Sequence, residues 1–141
     1  MIQVSNTTAQ TLAPGQSITF DNVSFASRCN RNEYFSGNGT GVQMMAGVYR
    51  LGFGANIGAT AATTAVQLSI QVNGATLPTT TAISTTAAAE DLNNVSRETI
   101  YNAFSFGCNG CGGGFTVTVT NTGTTDVTVG ANSYLNIARV G

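Results

Sequence analysis

The sequence predicts an all-β protein, an antiparallel two-sheet sandwich or jelly roll of about eight to ten strands joined by tight turns. Three observations carry this. Tyr49, Leu51, Phe53, Ala55 and Ile57 alternate with small or polar residues, and Val66, Leu68, Ile70 and Val72 do the same. Period two places successive side chains on opposite faces of an extended backbone, so each run offers one apolar face. Asn73-Gly74 closes the second run, and that pair takes the positive φ angles of a tight hairpin turn. Thr, Ala, Gly, Asn, Val and Ser dominate the composition, which favours short strands over long helices.

The elements follow in order. Ile2 to Ser5 begins a strand, and Thr8 to Leu12 leads into the Pro14-Gly15 turn. Ser17 to Phe25 reads as a strand with Ile18 and Phe20 on one face, its alternation shifting at Asp21-Asn22. Residues 26–41 are polar and Gly-rich and read as a loop carrying Cys29; Val42 to Met45 is a short strand ahead of the Tyr49 run. Residues 78–91 are Thr/Ala low-complexity, a long loop or a weak edge strand. Ser96 to Phe106 returns to alternation with Ile100, Asn102, Phe104 and Phe106 on one side, before the glycine run of 107–114. Phe115 to Thr120 alternates again, NTGTTD turns into Val127 and Val129, and SYLNIARV closes the chain. In that last strand Leu135 and Ile137 share one face, Tyr134 and Val140 the other, which predicts a central strand.

The 141 residues are read as one domain, 1–141. No segment approaches the roughly 18 consecutive apolar residues needed to span a membrane. MIQVSNTTAQ lacks a basic region followed by an apolar core, so synthesis in the cytoplasm without Sec export is expected. The chain has five Arg, no Lys, no His and six acidic residues, a net charge of −1. So few charges neither steer polyanions nor release many counterions, which argues against nucleic acid as a partner. They also give little colloidal repulsion, which points to a surface covered in an assembly.

Catalytic material is scarce. Without His, Ser-His and Cys-His nucleophile pairs are excluded. Glu90-Asp91 is the only adjacent carboxylate pair and sits in the low-complexity loop, where a solvated turn or cap is the commoner role. Phosphate-binding glycine motifs are absent, because the glycines of 107–114 precede a strand and not a helix. The expectation is a non-enzymatic protein without a cofactor.

Cys29, Cys108 and Cys111 are the reactive set. Cys108 and Cys111 have CxxC spacing, which suits a redox pair or half of a zinc site. A structural zinc wants four ligands, and one chain supplies three cysteines. Free thiols, a Cys29 disulfide to Cys108 or Cys111, and a bridge between chains stand as alternatives. Asp21, Asn22, Asp91 and Asp126 lie near turns, but with no calcium-loop pattern they read as Asx-turn formers. Tyr34 and Phe35, in the Cys29 loop, are the candidates for a ligand-binding loop, for example one that stacks sugars. Packing of that loop onto the sandwich is their bland alternative.

GxYxLxFxANI followed by VQLSIQVNGATL, the late TVTVTNTGTTDVTV and the closing SYLNIARV resemble the tumour necrosis factor/complement globular-head jelly roll. TAQTLAPGQSITFDNVSF is similar to the first strands of its bacterial and phage branch, which includes C-terminal domains of collagen-like exosporium glycoproteins. The resemblance covers nearly the whole chain, and this sequence departs from the exosporium proteins in having no Gly-X-Y stalk. It implies a ten-stranded jelly roll and a tight homotrimer with the terminal strand near the threefold axis. It implies no catalytic residues. Tyr134, Leu135, Ile137 and Arg139 are therefore the expected trimer-interface residues. A head without a stalk or secretion signal resembles phage proteins that decorate capsids or form head fibres. Their partners would be a major capsid protein lattice or a host cell surface, and their place the virion surface. A bacterial or spore-surface module, or a carbohydrate-binding module, is the competing expectation.

Overall fold

The computed structural model describes residues 1–26, 33–35, 39–103 and 115–141. In chain order the strands are β1 (Ile2–Ser5), β2 (Gln10–Leu12), β3 (Asn22–Ala26), β4 (Glu33–Phe35), β5 (Val42–Met44), β6 (Val48–Ala59), β7 (Ala65–Val72) and β8 (Ala75–Thr76). A 3-10 turn at Pro78–Thr80 precedes β9 (Ala82–Thr85), β10 (Asn93–Asn102), β11 (Phe115–Asn121), β12 (Val127–Val129) and β13 (Tyr134–Arg139).

Two antiparallel sheets face each other. The front sheet runs β2-β12-β6-β13-β1-β3, with β10 also on β6; the back sheet runs β4-β5-β11-β7-β8, with β9 also on β7. β10 pairs with β6 along residues 48–57. The other edge of β6 is therefore shared end to end by β13, against Tyr49 to Gly54, and β12, against Ile57 to Ala59. From β5 to β12 the chain crosses repeatedly between sheets, which winds it as a jelly roll.

The alternation seen in the sequence explains the core. Tyr49, Leu51, Phe53, Ala55 and Ile57 point inward from β6 and are at most 2% exposed. Val66, Leu68, Ile70 and Val72 of β7, with Val117 and Val119 of β11, meet them from the back sheet. Each fully buried aliphatic side chain contributes roughly 1.5–3 kcal/mol relative to exposure, so a register slip of one residue would forfeit a whole row. β13 lies between β6 and β1, the central position its two-sided apolar pattern predicts. Two buried amides tie the ends of the sandwich. Asn121 donates to the Leu12 carbonyl at 3.0 Å and the Thr125 carbonyl at 2.8 Å, and Asn6 donates to the Gly130 carbonyl at 3.1 Å.

The structure refines the expected elements and corrects some of them. The strands number thirteen among the described residues, the excess over ten coming from pieces of two or three residues. Ser17 to Phe25 is not one strand. Ser17 makes an isolated bridge to Thr120, and regular pairing begins only at Asn22, after the Asp21-Asn22 shift. Residues 26–41 are not all loop, since β4 pairs with β5 there. Of the two readings of residues 78–91, the edge strand holds: β9 pairs with β7. β10 starts three residues before Ser96, at Asn93. Phe104 and Phe106 lie outside the described residues, as do Cys29, Cys108 and Cys111.

Candidate functional site

Because β13 alternates, its outward residues are Tyr134, Asn136 and Ala138, and they line up with the outward residues of its neighbours. Four-strand rows result across the front sheet: Gln3, Asn136, Gly52 and Glu98, and beside it Ser5, Tyr134, Gly54 and Ser96. A third row aligns Ala138, Arg50 and Ile100. Where β6 presents glycine, its neighbours stand above it, and the face is hollowed.

The hollow is a trough of about 320 Å³ lined by Gly52, Phe53, Ser96, Arg97, Glu98, Tyr134 and Asn136. Gly54 is required by its neighbour, since a Cβ there would lie 2.6 Å from the Tyr134 ring. Gly52 is different: a Cβ would meet only the Arg97 carbonyl at 3.6 Å and the Glu98 side chain at 3.7 Å, ordinary contacts. The open floor at Gly52 is therefore not needed by the fold of the chain itself.

On one flank the Arg50 Nε lies 3.5 Å from Glu98 Oε1, with the two side chains 58% and 62% exposed. Such an exposed pair contributes little to stability and leaves one charge of each sign facing outward. Past it the face turns apolar. Ile100 is 58% and Val140 54% exposed, and Ala138 and Val48 beside them are half-buried. At the opposite end the loop before β10 folds over the sheet. A Cβ on Gly58 would lie 1.9 Å from the Asp91 carbonyl oxygen, and Leu92 packs over Gly130.

Polar groups in the trough are not all satisfied. Asn136 Oδ1 is buried and has no hydrogen-bond partner, the only side-chain atom of this kind among the described residues.

The expected interface residues divide in two. Leu135 and Ile137 are fully buried in the chain's own core, because their faces of β13 point to the back sheet. Direct contact with another chain is not open to them. Tyr134 lies half-buried on the outward face, and Arg139 is exposed at the end of β13, where its Nε donates to the Gly141 carbonyl at 2.9 Å. Tyr34 and Phe35 fall on β4, and their side chains lie outside the described residues, with the three cysteines. Gly52, Asn136, Ser96 and Glu98 were not singled out from the sequence. The available signal was glycine at alternate outward positions of β6 (Gly52, Gly54 and Gly58), which is unusual in a strand interior.

Elsewhere the polar chemistry is local. Among the described residues no three His, Cys, Asp or Glu side chains converge as metal ligands, and no helix is long and apolar enough to cross a membrane. The Thr7 hydroxyl and backbone N–H both donate to Asp21, and these bonds hold its carboxyl below the usual carboxylate value. Glu90, at φ +67°, donates its N–H to the Ala59 carbonyl at 3.0 Å and belongs to an exposed turn. Burial pushes the Tyr101 phenol up.

No family model matches this sequence, and no curated protein matches it. Among solved structures the chain is similar to the "PRD1 vertex protein P5", with a TM-score of 0.46 and 10% identity, over 99% of this chain and 94% of that one.

Proposed function

We propose that this chain is a non-enzymatic structural subunit that assembles as a homotrimeric knob on the surface of a phage virion, as a capsid decoration or head-fibre protein. The observation that carries the assembly is the outward face of the front sheet. It combines a glycine-floored trough, exposed Ile100 and Val140, and one loosely paired charge of each sign. A contact face depleted of charge, with apolar and aromatic side chains at its centre, is what a protein interface requires. The outward residues of β13, Tyr134 foremost, with Arg139 at the strand's end, are the subunit contact in this reading, while Leu135 and Ile137 support them from inside.

The placement on a virion rests on the sequence resemblance to the phage branch of the globular-head jelly rolls. The partner in this reading is a capsid lattice, and the three copies act by avidity. Simultaneous contact by linked copies strengthens a weak single contact by orders of magnitude without any new chemistry.

Sedimentation of the purified chain at micromolar concentration tests the assembly, with a trimer expected and a monomer overturning it. Co-sedimentation with intact capsids and a glycan array test the placement. Capsid binding with a silent array supports it, whereas glycan binding without capsid binding replaces it with a carbohydrate-binding role.

A further inference from the structure

We infer that Asn136 is a register device: its side-chain oxygen accepts a hydrogen bond supplied by a second copy of this chain. The inference rests on the assembly proposed above and names the atom that the neighbouring copy completes.

Buried polar groups in folded proteins are almost always bonded, and each exception calls for an explanation. Here the contrast within one molecule is sharp. The buried side chains of Asn6, Ser69, Thr80, Ser84, Thr86, Thr120, Asn121 and Ser133 all have hydrogen-bond partners. Asn136 Oδ1 has none, and Asn136 lines the trough over Gly52. A group entering that trough from outside meets an acceptor that its own chain leaves open.

The occupant is a second copy because a near-neutral, partly apolar face suits the equally charge-poor surface of this same chain. Arg50 and Glu98 offer one cation and one anion side by side, each more than half exposed. The whole chain carries a net charge of only −1. A strongly charged partner would find no matching field here, whereas another copy brings the same neutral, partly apolar surface. A single polar group within such a contact also fixes its geometry. Any docking that slides along the strands leaves the amide buried and unsatisfied, so one register and one copy number are favoured.

Asn136→Leu and Gly52→Ala test this, with sedimentation equilibrium for assembly and urea unfolding under dissociating conditions for the single chain. Asn136→Leu removes an acceptor that nothing in its own chain uses. Its unfolding midpoint should match or exceed the wild type, while the dissociation constant of the assembly rises about tenfold or more, or the copy number becomes mixed. Gly52→Ala meets only ordinary contacts in its own chain, so it should fold normally and weaken assembly by filling the trough. An assembled wild type whose Asn136→Leu variant keeps the same copy number, with a dissociation constant within about twofold, overturns the inference and leaves the assembly standing. A lowered unfolding midpoint of Asn136→Leu also overturns it, because the amide would then serve its own chain. A monomeric wild type removes the assembly and this inference together.

Discussion

On the back sheet, the outward residues of β7 and β11 are Gln67, Ser69 and Gln71 beside Thr116, Thr118 and Thr120, and they bond to one another and to the loops. The Ser69 hydroxyl pairs with Thr81 at 2.9 Å and Thr122 at 2.8 Å, Thr120 pairs with Ser17 at 2.8 Å and Thr118 at 3.0 Å, and Gln71 donates to Thr76 at 3.1 Å. Among the residues whose side chains are described, Ile83 at the β9 edge is the one exposed large apolar residue that joins these rows. On the front sheet the same alternation delivers glycine, tyrosine, isoleucine and an amide whose oxygen is unpaired. The back-sheet face closes its own polar network, with Ser69 and Thr120 buried against Thr81, Thr122 and Ser17 of the same chain. The front face keeps an open acceptor beside a glycine floor, the feature on which the proposed assembly rests. The two faces share one backbone geometry, so the difference lies in side-chain selection at the outward positions.

The comparison can be broken or sharpened experimentally, and the largest effect comes from confusing the two sides of one strand. Leu135→Asp puts a carboxylate with no partner into the core, a change worth roughly 3–5 kcal/mol, and should abolish the cooperative unfolding transition seen by circular dichroism. Asn136→Asp, one residue along on the outward side, should keep that transition. If both variants fold alike, the inward and outward assignments of β13 are wrong.

Next in size is Gly58→Ala, which must displace the Asp91 backbone from contact with β6. It should lower stability by a few kcal/mol, on the scale of overpacked core sites, without altering residues that line the trough. Urea denaturation measures this, and a change below about 0.5 kcal/mol would show that the loop gives way freely.

Thr120→Val should cost about 1–2 kcal/mol through its lost hydroxyl bonds to Ser17 and Thr118 while leaving the sedimentation coefficient untouched. An effect on assembly from this back-sheet position would erase the proposed asymmetry between faces.

The smallest effect is a pH dependence. Asp21 has a folded-state pKa below its ordinary value because Thr7 donates to the charged form. Its contribution is therefore complete above the ordinary carboxylate pKa and fades as pH falls through the lower folded-state value. Asp21→Asn should flatten the acid limb of the thermal-midpoint profile slightly, and an identical slope in both proteins would remove Asp21 from the account.

β6, β7, β11 and β13 could be read from the sequence because each carries its own period-two string, a local property. β4 could not, since Glu33–Phe35 has too few apolar residues to alternate visibly, and the segment holding Ala82–Thr85 could be read only as a loop or a weak edge strand; both owe their strand state to partners β5 and β7. The trough was still less accessible. It exists only because Asn136 and Glu98 both stand beside Gly52, a register that joins positions 136, 52 and 98 across three strands. The sequence showed small residues between the apolar ones of β6, and only the pairing reveals what stands over them. The expected interface residues fall on two faces of one strand for the same reason. Alternation assigned Leu135 and Ile137 a common face, and only the sheet order shows that this face belongs to the core.

Ile2 of β1 lies directly across from Ile137 of β13, so the two ends of the strand pair leave the sandwich side by side. A load drawn outward through both ends would act on that pair as on a zipper, parting its four paired positions one after another instead of shearing them together. The sandwich should therefore be mechanically soft along that axis, whatever its thermal stability. A fusion through either end would hang from the same pole.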